Sequence, residues 1–241
     1  MPIPSTAFRH HPELIGRIKA PEESYFRDLD YAELDASVAR NGGDPGWRYP
    51  DAHRDALRRA TLAGREGQEV WVFGYGSLIW DPGFLFDEIR RAHVPGFTRE
   101  LCLVDRMGGR GTAEAPGLMA GLVPGGAVDG LAFRIPPGLV EAETDQLFRR
   151  EMVAPGYHAI FTPAETAGGP VEVLTFVADP EAAMIEIGLP RETQIRYLAT
   201  GAGMLGTSLE YLDNVVAHFR AFGIHDAELE GLLAEVRTLT S

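Results

Sequence analysis

The sequence predicts an α+β fold in which a curved sheet or small β-barrel is followed by helices. Strand-like segments fill the middle of the chain from residue 69, and the last third has helical periodicity. Strands first and helices last favour an α+β domain over alternating βαβ units. The composition is that of a globular protein, since 45% of the 241 residues are hydrophobic and 24% are charged.

The first 68 residues are predicted to form a helical extension, and residues 69–241 the main domain. The extension is rich in Pro, Asp, Glu and Arg. It has two short helical patterns, at residues 30–40 and 50–63, separated by a cluster of helix breakers. Its N-terminus has no apolar core after a basic start, so no secretory signal is expected.

Seven strand-like segments follow the extension. The first, Val70 to Phe73, is β-branched and aromatic and ends at Gly74. Breaks that contain Pro or Gly separate the segments, a pattern typical of a curved sheet or small barrel. The other six segments span residues 89–94, 98–104, 118–123, 129–135, 157–162 and 171–177.

Helical patterns interrupt the strands once and then follow them. Residues 139–152 carry Leu147, Phe148 and Met152 at helical spacing. Three more helical patterns cover residues 191–200, 207–222 and 226–239. Thr207 and Glu210 have the spacing of a capping box, which predicts a helix start at Thr207.

No motif in the sequence requires a metal or a cofactor, and none is expected. The glycines at 201, 203 and 206 match GxGxxG, but a dinucleotide site needs a strand before them. The preceding segment is predicted helical, so these glycines are interpreted as a joint between helices. The histidines have no metal-binding spacing. Cys102 lies in a predicted strand and is expected to pack rather than act as a nucleophile.

The charge balance argues against nucleic acid as a partner. The chain has 22 basic and 35 acidic residues, a net charge of −13, whereas nucleic-acid binding needs a basic surface. No apolar run approaches the ~18 residues of a membrane span, so no membrane is expected. A single cysteine fits a reducing cytoplasm. The sequence does not indicate the oligomeric state.

Two features suggest chemistry, and the residue pattern leaves each open. The loop from Gly74 to Leu78 follows a strand; its backbone amides could bind an anion, or it could be an ordinary turn. Glu151 shares a predicted helix face with Leu147 and Phe148. Burial there would raise its pKa and make it a better base. The alternative is a structural salt bridge to Arg149, Arg150 or a distant arginine.

Four blocks of sequence follow one another along the chain: VFGYGSLIWDP at 72–82, RGT at 110–112 with PGL at 116–118, RREMV at 149–153 with Tyr157, and LEYLDN at 209–214. In their order and spacing these blocks resemble the ChaC-like γ-glutamylcyclotransferases. The resemblance covers Trp71 to about Val236.

This resemblance implies a small, mostly antiparallel β-barrel with flanking helices, and a small-molecule substrate. Family members open γ-glutamyl peptides, chiefly glutathione, to give 5-oxoproline and cysteinylglycine. Alternatives are another γ-glutamyl amine or peptide as substrate, or a non-catalytic γ-glutamyl-binding or regulatory protein. By resemblance, Glu151 is the catalytic base. The implied substrate-binding residues are Tyr75, Gly76, Ser77, Leu78, Arg110, Tyr157 and Tyr211.

Two expectations concern the neighbours of Glu151. Helical spacing puts Arg149 and Arg150 on other faces of the helix, so both are expected to matter less than Glu151. The family usually has Thr or Leu and then Gly before Tyr157. Here the segment is Ala-Pro-Gly at 154–156, which predicts a stiffer turn.

Overall fold

Five strands close into a barrel in the computed structural model of the protein, which describes residues 3–240. The strand order is β1-β3-β2-β4-β5. β1 is antiparallel to β3 and parallel to β5, so the two kinds of pairing close the barrel. The strands are β1 Val70–Gly74, β2 Glu88–Met107, β3 Thr112–Ile135, β4 Tyr157–Thr166 and β5 Val171–Ala178.

The barrel has five strands rather than the seven predicted segments because two predicted breaks do not end a strand. β2 continues for 20 residues and β3 for 24. Gly96 adopts a φ of +84° within β2, a conformation that glycine reaches without steric cost. At Gly125 in β3, a side chain would come within 2.7 Å of Thr98. These glycines let both strands pass through breaks that local propensity treats as ends.

Contacts among the described residues divide the chain into two compact units. The first comprises residues 3–29, 49–99 and 122–177, and so contains β1, β4, nearly all of β5 and the parts of β2 and β3 outside residues 100–121. The second comprises residues 30–48, 100–121 and 178–240. The boundary predicted after residue 68 stays a prediction.

The core of the first unit is aromatic and includes part of the N-terminal segment. The Phe133 ring meets Phe84 and Phe86 edge-on, with centroids 5.8 and 5.0 Å apart. Phe8 packs in turn against Phe86, with centroids 6.1 Å apart. Leu14 is also buried, so residues before the first helix contribute to this core.

Both predicted helices of the extension are confirmed, as α1 Tyr31–Arg40 and α2 Asp51–Leu62. α2 packs against α3, which spans Val140–Glu151. Arg58 on α2 is buried, and its guanidinium donates to Glu141 at 2.6 Å and to Thr144 at 3.3 Å. These contacts fix the helix that ends at Glu151.

The second unit contains three helices that pack on one another. They are α4 Arg191–Thr200, α5 Ser208–Ala221 and α6 Ala227–Thr240. The capping box is confirmed: the Glu210 amide donates to Thr207 Oγ1 at 3.0 Å, and the Thr207 amide donates to Glu210 Oε2 at 2.7 Å. No helix within residues 3–240 is long and apolar enough to cross a membrane.

The GxGxxG glycines join α4 to α5, as predicted from the helical pattern before them. Here the chain forms a short hairpin of β6 Ala202–Gly203 and β7 Gly206–Thr207. A Cβ on Gly201 would lie 2.6 Å from the Cα of Gly117 in β3, and one on Gly203 would lie 2.4 Å from the Gly108 carbonyl oxygen. The glycines therefore permit close approach of this joint to β3 and to the loop after β2.

We expect Gly203→Ala to destabilise the fold by about 1–3 kcal/mol, the usual cost of overpacking. The added Cβ would lie 2.4 Å from the carbonyl oxygens of Gly108 and Gly109, so the backbone would have to shift. Thermal unfolding measures the effect. Gly231→Ala on α6 is the control, because the nearest atom to its added Cβ is 3.6 Å away, and it should raise the melting temperature slightly. Equal stability of Gly203→Ala and wild type would contradict this role.

Candidate active site

The loop after β1 turns back sharply on itself. A Cβ on Gly74 would lie 3.0 Å from Leu78 Cβ and 3.3 Å from the Ile79 nitrogen, so any larger residue would push these neighbours away. Ser77–Ile79 forms a single 3-10 turn, and the Ile79 amide donates to the Gly76 carbonyl at 3.0 Å. Leu78, within the loop, is buried.

Tyr75 anchors this loop to the barrel. Its hydroxyl donates to the Phe176 carbonyl at 2.9 Å, and its ring lies in the barrel core. Its own carbonyl accepts from Arg99 Nε at 2.7 Å. The contacts on both sides of Tyr75 hold the next residues, Gly76 and Ser77, in place.

Glu151 is the last residue of α3 and lies beside the core. Leu147 and Phe148, one turn earlier, are almost completely buried, and the Glu151 side chain is only 15% exposed. Burial raises the pKa of the Glu151 carboxyl above its usual range, because the charged form loses hydration. The positive charge and hydrogen bond of Arg150 lower that pKa in part.

Arg150 joins Glu151 to the loop after β1. Its side chain is 5% exposed, and its Nε lies 2.9 Å from Glu151 Oε1. Its Nη2 donates to Ser77 Oγ at 2.8 Å, and its Nη1 donates to the Asp81 carbonyl. The structure therefore brings Glu151 and the Tyr75–Leu78 loop to one arginine.

Arg150, predicted to lie on a different face from Glu151, pairs with it in the structure. Helical spacing puts it on a different face from Glu151, but the helix ends at Glu151 and the long arginine side chain reaches back to the carboxylate. A buried arginine needs acceptors for its donors. The position of Arg150 in a largely buried segment could therefore have predicted a nearby carboxylate or carbonyl partner. The structure shows a salt bridge from Glu151 to Arg150 together with the raised pKa of Glu151, and the catalytic role of Glu151 stays a prediction.

Tyr157 lies in the same unit, at the start of β4 and six residues after Glu151. The turn between them is braced from the extension, since the Tyr49 amide donates to the Val153 carbonyl at 2.9 Å. Ala154 in this turn is buried. Tyr157 itself is partly exposed.

Arg110 and Tyr211, the other two predicted substrate-binding residues, belong to the second unit and lie together there. The Arg110 guanidinium carbon is 5.3 Å from the centroid of the Tyr211 ring, and Nη1 donates to the Thr207 carbonyl at 3.1 Å. Burial lowers the pKa of Arg110. The Tyr211 hydroxyl accepts from the Ala120 amide at 3.2 Å. Their role with substrate stays a prediction.

Comparison with known proteins identifies the family. A family model described as ChaC-like protein matches residues 70–239. The chain belongs to the ChaC-like protein family.

Curated relatives of this ChaC-like chain agree with the family match. The glutathione-specific γ-glutamylcyclotransferase of Escherichia coli K12 is 35% identical over 188 residues, covering 77% of this chain and 81% of that protein. Glutathione-specific γ-glutamylcyclotransferase 1 of mouse is 30% identical over 179 residues, covering 71% of this chain and 80% of that protein.

Solved structures share the fold of the ChaC-like chain. A crystal structure of the γ-glutamyl cyclotransferase specific to glutathione from yeast has a TM-score of 0.62 at 21% identity, covering 72% of this chain and all of that one. Its selenomethionine-labelled form has a TM-score of 0.63 at 19% identity, covering 70% of this chain and 96% of that one. The predicted α+β barrel fold is therefore confirmed.

Cys102 of the ChaC-like chain is fully buried and in the free thiol form. Burial raises the pKa of its thiol to about 12, so the nucleophilic thiolate is scarce near neutral pH. Among residues 3–240, no group of three or more His, Cys, Asp or Glu side chains is arranged to hold a metal ion.

We expect Cys102→Ala to retain wild-type turnover and to lose about 1–2 kcal/mol of stability, because only packing is removed. Steady-state kinetics and thermal unfolding measure the two effects. Loss of turnover in a variant that remains folded by circular dichroism would instead indicate a covalent role for the thiol.

Proposed function

We propose that the protein is a γ-glutamylcyclotransferase that cleaves glutathione into 5-oxoproline and cysteinylglycine. The observation that carries this proposal is the pairing of a largely buried carboxylate, Glu151, with Arg150, which also binds the loop after β1. The names of the relatives support glutathione as the substrate. A reducing cytoplasm, where glutathione is abundant, is the proposed location.

In the proposed reaction, the α-amine of the substrate attacks its own γ-carbonyl carbon. One carbon–nitrogen bond forms and closes a five-membered ring, while the bond to the cysteinylglycine nitrogen breaks. Because the nucleophile is already part of the substrate, holding it in the correct orientation supplies much of the rate. The reaction needs no metal, nucleotide or enzyme thiol.

Glu151 is proposed to carry the proton. Its carboxylate takes a proton from the substrate α-ammonium group and then returns one to the departing amine. The raised pKa of Glu151 suits both steps, since a stronger base takes the proton more readily. Arg150 limits this rise and keeps the carboxylate in position.

The loop after β1 is proposed to hold the γ-glutamyl end of the substrate. Successive backbone amides of Tyr75 to Leu78 suit a carboxylate or the developing oxyanion. Ser77 Oγ accepts from Arg150 Nη2, so the Ser77 hydroxyl proton can be donated to a substrate oxygen. Arg110, Tyr157 and Tyr211 are proposed as further substrate-binding residues.

Incubation of the purified protein with glutathione, followed by mass spectrometry of 5-oxoproline, tests the function. A panel of other γ-glutamyl peptides and amines run in parallel tests the substrate class. We expect 5-oxoproline from glutathione and none from Glu151→Gln. Product from the panel alone would indicate another γ-glutamyl substrate. Binding of glutathione without product from any compound would indicate a non-catalytic protein.

We expect Arg110→Ala to raise KM for glutathione several-fold while kcat changes less. This is the result for a group that holds a substrate carboxylate equally in the ground state and the transition state. Arg106→Ala is the control, because Arg106 lies in the same unit and pairs with Glu186 at 2.6 Å. An unchanged KM in Arg110→Ala would show that Arg110 does not bind the substrate.

A further inference from the structure

The segment formed by residues 19–27 contacts the surroundings of Arg150, although the family match begins only at residue 70. Arg150 Cζ lies over the Phe26 ring, 4.0 Å from the ring centroid. Lys19 Nζ donates to Asp81 Oδ2 at 3.2 Å, and the Lys19 amide donates to the Trp80 carbonyl at 2.7 Å. This N-terminal segment therefore touches both Arg150 and the loop that Arg150 binds.

Asp81 lies between two cations. It is only 4% exposed, and its Oδ1 makes no hydrogen bond to any part of the chain that the structure describes. Arg150 Nη1 is 4.0 Å from that oxygen, while Lys19 binds the other. A buried carboxylate without a partner is costly, so without Lys19 the Asp81 carboxylate would be paired at lower energy by drawing in Arg150, the other nearby cation. Arg150 would then move away from Glu151.

Phe26 contacts the same guanidinium. The donors of Arg150 bind Glu151, Ser77 and the Asp81 carbonyl, and the guanidinium carbon lies over the Phe26 ring. An arginine whose donors are hydrogen-bonded and whose guanidinium also contacts an aromatic ring retains one orientation. This contact gives the extension a direct effect on the orientation of Arg150.

The segment is itself attached at two places. Arg27 Nη1 donates to the Gly83 carbonyl at 3.0 Å and to Glu143 on α3 at 2.7 Å. Ser24 Oγ accepts from the Phe26 amide at 3.2 Å. Phe26 is therefore held between the loop after β1 and the helix that ends at Glu151.

We propose that Lys19 and Phe26 are positioning residues of the active site. Lys19 neutralises Asp81 and Phe26 supports the guanidinium, so that Arg150 stays on Glu151 and Ser77. The kinetic test of this inference, which measures glutathione turnover, rests on the proposed function. The charged groups that face Arg150 are Glu151 and Asp81, and Lys19 faces Asp81.

The test compares Lys19→Met, Lys19→Arg and Phe26→Leu with wild type in steady-state kinetics with glutathione. We expect kcat to fall about ten-fold in Lys19→Met and about five-fold in Phe26→Leu, with little change in KM. The acidic limb of the kcat/KM profile should move to higher pH in both, because Glu151 loses part of its cation. Lys19→Arg keeps the charge and should restore the wild-type profile.

Two control variants separate positioning from general stability. Arg17→Met removes a positive charge from the same segment, where the guanidinium donates to the Glu13 carbonyl at 3.1 Å. Phe8→Leu removes a ring that packs on Phe86. Both controls should keep the wild-type pH profile. Wild-type profiles in Lys19→Met and Phe26→Leu, or equal shifts in the controls, would overturn the inference.

Carbon NMR titration of the Glu151 carboxyl gives a readout that needs no substrate. The signal is assigned by its absence in Glu151→Gln. We expect a higher titration midpoint in Lys19→Met than in wild type and recovery in Lys19→Arg. Identical midpoints in Lys19→Met and wild type would overturn the inference, whatever the activity of the two proteins. A wild-type protein that releases no 5-oxoproline would count against the proposed function alone.

Discussion

Glu151→Gln is expected to lower kcat for glutathione by about 10²–10⁴-fold, the usual effect of removing a general base. The amide keeps the size of the side chain but cannot accept the substrate proton. KM and the melting temperature should change little. Steady-state kinetics and binding of glutathione to the inactive variant measure the effect.

Glu141→Gln is a matched control for this change. It makes the same substitution on the same helix, but the Glu141 side chain is exposed and pairs with Arg58. Its turnover should equal that of wild type. If Glu151→Gln retained wild-type turnover, the base would have to be another residue.

The pH profile gives an independent check on Glu151. The base must be deprotonated to work, and burial raises its pKa above the ordinary value of 4.5. Wild-type kcat/KM should therefore fall as the pH decreases through this raised pKa. An acidic limb at or below the ordinary value would show that Glu151 does not control the rate.

Arg150→Ala is expected to lower kcat by about 10–100-fold and to cost about 3 kcal/mol of stability. The first effect is that of losing charge-assisted hydrogen bonds, and the second that of breaking a buried ion pair. The pKa of Glu151 should rise further, because burial would remain and the lowering effect of Arg150 would be gone. The acidic limb of kcat/KM should therefore move to higher pH.

Arg149→Ala and Arg150→Lys complete this test. Helical spacing puts Arg149 on another face of α3, so its replacement should cost little activity. Lysine at position 150 restores a charge but cannot bind Glu151, Ser77 and Asp81 together, so we expect partial recovery. Equal activity of Arg150→Ala and wild type would show that the link between Glu151 and the loop has no catalytic role.

Local sequence patterns predicted the helices well because their causes are local. α1, α2 and α4 lie within two residues of their predicted limits. The capping box places the start of α5, since both of its hydrogen bonds join residues three apart. The strand count was wrong because Gly96 and Gly125 allow pairing to continue through positions that are breaks by propensity alone.

The candidate site could be predicted only in part. Burial of Leu147 and Phe148 follows from helical spacing, so the sequence indicated the unusual environment of Glu151. The resemblance to the family supplied the loop from Tyr75 to Leu78. Neither signal indicated Arg150 as the link, because it meets Ser77 across 73 residues of sequence.

Periodicity, capping and family motifs act over short stretches of chain, so they were enough to predict the α+β class, the helix limits and Glu151 as an acid on an apolar helix face. Which charges meet depends on the tertiary fold. Lys19 and Asp81 are 62 residues apart, and Arg150 lies far from both in sequence. Coulomb energy depends on separation in space and on burial. Only the folded chain brings Lys19, Asp81, Arg150 and Glu151 into one network.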